Sequence, residues 1–266
     1  MIQALPALLG ATAGAIAGSF LATIILRWPR GRSVLRGRSA CDDCGRVLGA
    51  VDLVPMLSAL IQRGRCRTCG APIDPLHGRV EAGCAIIGAL ALGFAPDPGG
   101  VGWALLGWLL LTLAVLDRRH FWLPDALTLP LAFLGFTMGP WATEAKMADR
   151  AIGALAGYLA LLLIATGYRR TRGRDGLGLG DAKLLGALGA WFGWQALPFI
   201  LLLAASVGLL SVVAVMATGR RVDGRQGLAV RLLVAGAADV GGGAARLGGT
   251  GFEGATLGLG SEEFNM

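Results

Sequence analysis

The sequence predicts an all-α polytopic membrane protein of about seven transmembrane helices, with a small cysteine-bearing loop domain on the cytosolic side. Three observations predict it. Of 266 residues, 55% are hydrophobic and only 15% are charged, against about 25% charged in an ordinary soluble domain. The apolar residues lie in runs near membrane length instead of short periodic stretches. Lys and Arg collect in every second connection between those runs, as in a chain oriented across a bilayer. This composition excludes a soluble enzyme and a disordered chain. The net charge of +7 does not point to nucleic acid, because the arginines stand between apolar runs and form no single basic face.

The first run, 5–26, carries no charge and is long enough, at about 1.5 Å per residue, to cross about 30 Å of hydrocarbon. No basic residue precedes it and it exceeds a typical signal-peptide core, so it reads as a retained helix. Further apolar runs follow at 82–96, 101–116, 126–141, 151–167, 184–196 and 198–218. Several are short for a span, and the last two, around Gln195-Ala196-Leu197-Pro198, could form one broken helix. The connection 27–79 holds ten arginines. Arg118 and Arg119 follow the third run, Arg169, Arg170, Arg172, Arg174 and Lys183 lie between the fifth and sixth, and Arg220, Arg221 and Arg225 follow the seventh. The intervening connections, 96–100 and 142–150, carry almost no basic excess. The basic connections therefore lie on the cytoplasmic side and the N-terminus lies outside. The chain divides into a first helix (1–26), a cytosolic four-cysteine domain (27–80), a polytopic membrane domain (81–218) and a Gly-rich tail (219–266) read as flexible.

Cys41-Asp-Asp-Cys44 and Cys66-Arg-Thr-Cys69 form two CxxC pairs 21 residues apart. This zinc-ribbon-like spacing lets four thiolates surround one ion tetrahedrally. Gly45 and Gly70, directly after each pair, supply the left-handed backbone such a turn needs. The loop is too small and too poor in apolar residues to fold on a core, so structural zinc would supply the missing stability. Four thiolates leave no open position for a catalytic water. Disulfides are the weaker alternative in a reducing cytoplasm. Cys84 reads as a buried small hydrophobe, and neither His77 nor His120 completes a ligand set.

Ionisable residues at a membrane boundary call for a reason. Asp117 ends the third run and Asp181 opens the sixth, so the orientation puts both at the cytoplasmic end. Two carboxyls that share a proton can act as aspartic proteases do, one protonated and the other taking a proton from the attacking water. Gly176, Gly178 and Gly180 recur every second residue, permitting an extended backbone before the helix against which a substrate strand could lie. Lys183 adds positive potential beside Asp181. The plainer reading, favoured by composition alone, makes Asp181 an N-cap and Asp117 a solvated helix end. Asp125, after Pro124, reads as a cap, and Asp175 as a solvated loop residue.

These residues also carry a likeness. Gly178-Leu-Gly180-Asp181 resembles the GxGD signature of intramembrane aspartic proteases. Asp117-Arg-Arg-His-Phe-Trp-Leu-Pro124-Asp125 resembles the first-aspartate motif of the prepilin peptidases, also called type 4 leader peptidases. Gly18-Ser19-Phe20-Leu21, Arg27-Trp-Pro29, Val54-Pro55-Met-Leu-Ser58 and Arg63-Gly64-Arg65-Cys66 look like the cytosolic domain of the bifunctional members, and the likeness runs from about residue 10 to about residue 218.

The resemblance implies a multi-pass enzyme of the bacterial inner membrane with a periplasmic N-terminus, surrounded by lipid. It implies cleavage of the basic leader of type IV prepilins or type II secretion pseudopilins, after a glycine, at the cytoplasmic face. It further implies N-methylation of the new terminal residue, usually Phe, from S-adenosylmethionine. Asp117 and Asp181 would be the catalytic pair, Gly178, Gly180 and Lys183 the substrate-binding residues, and Cys41, Cys44, Cys66 and Cys69 the zinc ligands. Gly78 stands where relatives usually have Pro. The family's usual last span, with a Pro-Phe-Gly-Pro-like stretch before it, is not evident beyond Gly219, one reading of which is a shifted frame or a truncation. Outside the resemblance, the alternatives are an ion- or proton-coupled transporter using the boundary aspartates, or a non-catalytic zinc-bearing assembly factor.

Overall fold

The computed structural model describes residues 3–34, 39–41, 43–55, 58, 61–173 and 178–217. Gly176, Asp175 and the tail 219–266 lie outside the described residues. Within them all regular structure is helical, with two isolated β-bridges and no strand. The helices are α1 (Ala4–Arg27), α2 (Leu76–Phe94), α3 (Pro98–His120), α4 (Asp125–Thr137), α5 (Gly139–Ala142), α6 (Met147–Arg172), α7 (Leu179–Phe192) and α8 (Leu197–Ala217). Each of the seven apolar runs contains a helix. Three stretches, Ala4–Arg30, Pro98–His120 and Met147–Arg172, are long and apolar enough to cross a membrane, while Asp125–Thr137 and Trp194–Leu210 are apolar but shorter.

Several boundaries differ from the hydropathy pattern, because helices stop at caps and not where polarity changes. α2 begins at Leu76, whose N–H is taken by the Asp74 carboxylate at 2.9 Å, so His77 and Arg79 belong to the helix. α3 starts where Asp97 accepts from the Gly100 N–H at 3.1 Å. The break expected near Gln195 falls two residues earlier, at Gly193 with φ 79°. A 3₁₀ turn, Trp194–Ala196, then leads into α8.

Glycine lets the helices meet. α1 lies along α2 so closely that a Cβ at Gly10 would stand 2.1 Å from the Gly88 carbonyl oxygen, and one at Gly14 2.1 Å from that of Cys84. α6 and α7 meet likewise, with a Cβ at Gly189 falling 2.1 Å from the Gly153 carbonyl oxygen. In lipid, apolar side chains gain little by leaving the solvent, and backbone approach through small residues supplies the van der Waals contact. The outer surface is correspondingly apolar. Leu5, Ile16, Phe133, Leu163 and Phe199 are 66–73% exposed, a pattern suited to acyl chains and not to water.

α3 and α4 fill the space between these pairs. Leu21, Ile25, Leu76, Val80, Leu113, Leu116, Leu127, Leu131 and Trp191 form one buried cluster. Arg150, at the start of α6, is completely buried. Its Nε donates to the Ala145 carbonyl at 3.0 Å, its Nη1 to Gly135 at 3.3 Å, to Ala190 at 3.1 Å and to Trp191, and its Nη2 to the Thr143 carbonyl and hydroxyl at 2.9 and 2.7 Å. One guanidinium thus satisfies carbonyls at the ends of α4 and α7, where the helix dipole is negative. The sequence pattern read 142–150 as a plain connection and gave Arg150 no role.

Candidate active site and metal centre

The cysteine domain is two copies of one knuckle. In each, the residue before the first cysteine bridges to the third residue after the second, Ala40 to Val47 and Arg65 to Pro72. The chain reverses through Gly45 (φ 69°) and Gly70 (φ 70°), whose N–H groups return to the carbonyls of Cys41 and Cys66 at 3.0 Å. The left-handed turn expected of both glycines is present. All four Sγ atoms lie within 4.8 Å of one another, with Cys41 and Cys69 3.8 Å apart and Cys44 and Cys66 3.9 Å apart. A tetrahedral ion with sulfurs at about 2.3 Å needs sulfur separations of about 3.8 Å, whereas a disulfide closes to about 2.05 Å. The four thiols therefore fit a metal ion, and none is bonded to another.

Backbone N–H groups of Cys69 and Thr68 hold the Cys66 thiol down to about 6. The Ala71 N–H acts in the same direction on Cys69, but burial and the neighbouring thiols outweigh it and push Cys69 up to about 12. A cation among the four sulfurs would displace the protons they keep.

The domain is anchored next to the aspartate motifs. Arg119, two residues after Asp117, pairs with Asp74 at 3.6 Å, and Trp122 meets Trp28 edge-on with ring centroids 5.7 Å apart. Asp117 itself is half-buried near the end of α3, which closes at Phe121 in the left-handed region (φ 51°), its N–H returning to the Asp117 carbonyl at 2.8 Å. Asp181 lies in the first turn of α7 and is 6% exposed. The segment joining α3 to α4 meets that turn. A Cβ at Gly180 would stand 2.8 Å from Leu123 Cβ. Lys183 Nζ donates to both oxygens of Asp125 at 2.6 and 2.8 Å. The end of α3 and the start of α7 are thus at one end of the bundle, on either side of residues 123–125.

Three details differ from the sequence reading. Gly178 is extended (φ −73°, ψ 139°) and caps α7, but Gly180 is already helical, so the extended segment ends before it. Packing on Leu123 is what Gly180's small size serves. Asp125 is not the cap of α4, a position held by Pro124, but the partner of Lys183. A Cβ at Gly178 would lie 3.4 Å from Asp181 Oδ2, an ordinary van der Waals contact, so Gly178 lies directly beside that carboxylate.

Residues 12–94 match the Bacterial Peptidase A24 N-terminal domain and residues 104–213 the Type IV leader peptidase family. A Klebsiella pneumoniae protein named prepilin leader peptidase/N-methyltransferase is 40% identical over 196 residues, 71% of this chain and 86% of that one. This chain belongs to the prepilin leader peptidase/N-methyltransferase family. Proteins of that name from Burkholderia pseudomallei (strain 1026b) and Aeromonas hydrophila are 44% and 43% identical over 185 and 172 residues, which are 69% and 64% of this chain. The chain spans 59% of the length of each of those two relatives. No solved structure matches it. The family's N-terminal model takes in α1, the cysteine domain and α2, and the second begins within α3, so the turn at Asp97-Pro98 falls between them. Three apolar helices together with membership of the prepilin leader peptidase/N-methyltransferase family make this an inner-membrane protein.

Proposed function

We propose that this chain is a seven-span aspartic endopeptidase that removes the leader of type IV prepilins or type II secretion pseudopilins and then N-methylates the new terminus. The observation that supports the protease reading is the meeting of the two aspartate motifs at one end of the bundle, through Leu123 on Gly180 and Asp125 on Lys183. In this reading Asp117 and Asp181 share one proton. The ionised carboxyl takes a proton from water as its oxygen attacks the scissile carbonyl. The protonated carboxyl gives its proton to the departing amide nitrogen, so the C–N bond breaks to an acid and an amine. Asp181, at a helix N-terminus, is where the negative charge is best held.

The extended Gly178 and the first turn at Gly180 and Lys183 would receive the substrate backbone. Cys41, Cys44, Cys66 and Cys69 would hold zinc, which supplies a closed tetrahedral crosslink and no open coordination site. The basic ends of α1, α3 and α6 support a cytoplasmic position for this whole end, with the N-terminus periplasmic.

The test is leader cleavage of a synthetic prepilin by membranes bearing Asp117→Asn or Asp181→Asn. Each should lose activity by about 10³-fold or more. Cleavage at the parental rate by either variant removes that residue from the pair. Mass spectrometry of the product with and without S-adenosylmethionine tests the methyl mark.

A further inference from the structure

The protease reading leaves one large groove without a role. It measures about 630 Å³ and lies between the second half of α1 and the start of α4, within the about 300–1,000 Å³ of ligand-sized clefts. The buried Ile24 and Leu127 form its floor. Phe20 and Trp28 stand four residues to either side of Ile24, so they flank it along one face of α1. Ala126 borders it on the α4 side. After the 3₁₀ turn Trp28–Arg30, Gly31 (φ 66°) reverses the chain, and Arg32, Ser33 and Val34 line the groove beyond that reversal.

The lining changes character along its length. From Phe20 to Trp28, about 12 Å along the helix axis, it is apolar, and beyond Gly31 it becomes polar at Arg32 and Ser33. The apolar part belongs to the stretch Ala4–Arg30, which is long and apolar enough to cross a membrane. Trp28, edge-on to Trp122, stands where aromatic side chains meet lipid headgroups. Among the described residues that line the groove, Arg32 carries the only charge. Arg32 also has an interaction within the protein, but a guanidinium offers five N–H donors, so it can keep that interaction and add a phosphate oxygen.

The cavity that shares Arg32 with this groove is different. Glu81 and Asp52 line it together with Arg27, Arg30 and His77, and Glu81 has its own interaction within the protein, so charges of both signs already stand together there. The groove has no such balance. An apolar trough ending in a cation suits an acyl chain below a phosphate, and the described lining has no carboxylate to receive the ammonium of a zwitterionic headgroup. A basic peptide would be repelled by the same arginine.

We propose that the groove between α1 and α4 holds one acyl chain of an anionic phospholipid, with the phosphate on Arg32. The chain lies over Ile24 and Leu127 between Phe20 and Trp28. This site needs only a chain embedded in a membrane and is independent of the protease reading.

The experiment places the full chain in phosphatidylcholine nanodiscs with rising fractions of brominated phosphatidylglycerol or brominated phosphatidylcholine, and reads tryptophan fluorescence. The brominated anionic lipid should quench the parental chain at a lower fraction than the zwitterionic one, and Trp28→Phe should remove the larger part of that excess. Arg32→Gln should require about fivefold or more anionic lipid for the same quenching, and Arg32→Lys should restore part of the preference. Ala126→Phe, at an exposed position of α4, fills the groove without touching Arg32 and should also remove the excess. It keeps the test decisive should Arg32→Gln fail to fold, as read from the unfolding midpoint. Identical curves for the two lipids in the parent overturn the proposal. So does an excess that Trp28→Phe leaves intact, or one that persists in both Arg32→Gln and Ala126→Phe. Loss of the excess on adding a synthetic prepilin at equal concentration would make the groove a peptide seat and overturn the lipid site.

Discussion

Lys183 stands in the sequence as a positive charge two residues from a boundary aspartate, and in the folded chain its ammonium is held by Asp125 on another helix. Both side chains keep partial solvent access, 34% and 55%, so the pair contributes at most about 1 kcal/mol to stability. Its value is positional, because it fixes α7 beside the start of α4. Reversing either charge alone should depress leader cleavage, and the double reversal Asp125→Lys with Lys183→Asp should recover more activity than either single change. No recovery would show that Lys183 acts on the substrate and not through Asp125. Gly45 and Gly70 were legible at this scale because a CxxC turn demands a left-handed residue at a fixed offset. Glu81 and Arg150 were not, since an isolated charge beside an apolar run gives no sign of what will surround it.

At the scale of elements, hydropathy located every helix except the short α5, which it merged with α4, and it did not give the ends, because Asp74, Asp97 and Gly193 set those ends through capping and backbone geometry. The pairing of α1 with α2 was partly visible. Gly10, Gly14 and Gly18 recur every fourth residue, the spacing that lets two helices touch in lipid, and that signal was available without coordinates. Gly14→Leu would drive a side chain into the Cys84 carbonyl, and should destabilise the protein by about 1–3 kcal/mol or more, read as a lower unfolding midpoint in detergent. Arg150→Met should strand the carbonyls at the ends of α4 and α7. The expected cost is about 3 kcal/mol or more, measured the same way, and a midpoint within a degree of the parent would show that water replaces the guanidinium.

Across the whole molecule, the cysteine domain is joined to the end of α3 by the Arg119–Asp74 pair and to α1 by the continuous chain. Removing its metal should therefore be felt at the aspartates. A strong chelator should loosen the domain to proteolysis and reduce leader cleavage, with recovery on adding zinc; unchanged protease resistance would show that the domain stands without the ion.

Acid should act in the same direction. Metal binding needs thiolates, so affinity falls as pH falls. Within the domain the Gly49 N–H, aided by Arg46 and Arg67 against the opposing effect of burial, holds the Asp52 carboxyl below its ordinary value of 3.8. A lowered carboxylate contributes its stability in full above that ordinary value and loses it as pH drops through the folded one. Resistance to proteolysis should hold near neutral pH and fail in acid, with Asp52→Asn weakening the neutral plateau.

The sequence by itself determined the solvent, the places of the apolar helices, the four-thiol cluster and the family. Each of these is written in composition or in spacing along a short stretch of chain, where the geometry is local. Tertiary structure alone decided that Leu123 would seat on Gly180, that Lys183 would face Asp125, that Arg150 would cap two helices and that Glu81 would wall a cavity. These depend on which helix faces which after packing, a choice made by backbone contacts between residues far apart in the polymer that no periodicity of a single helix records.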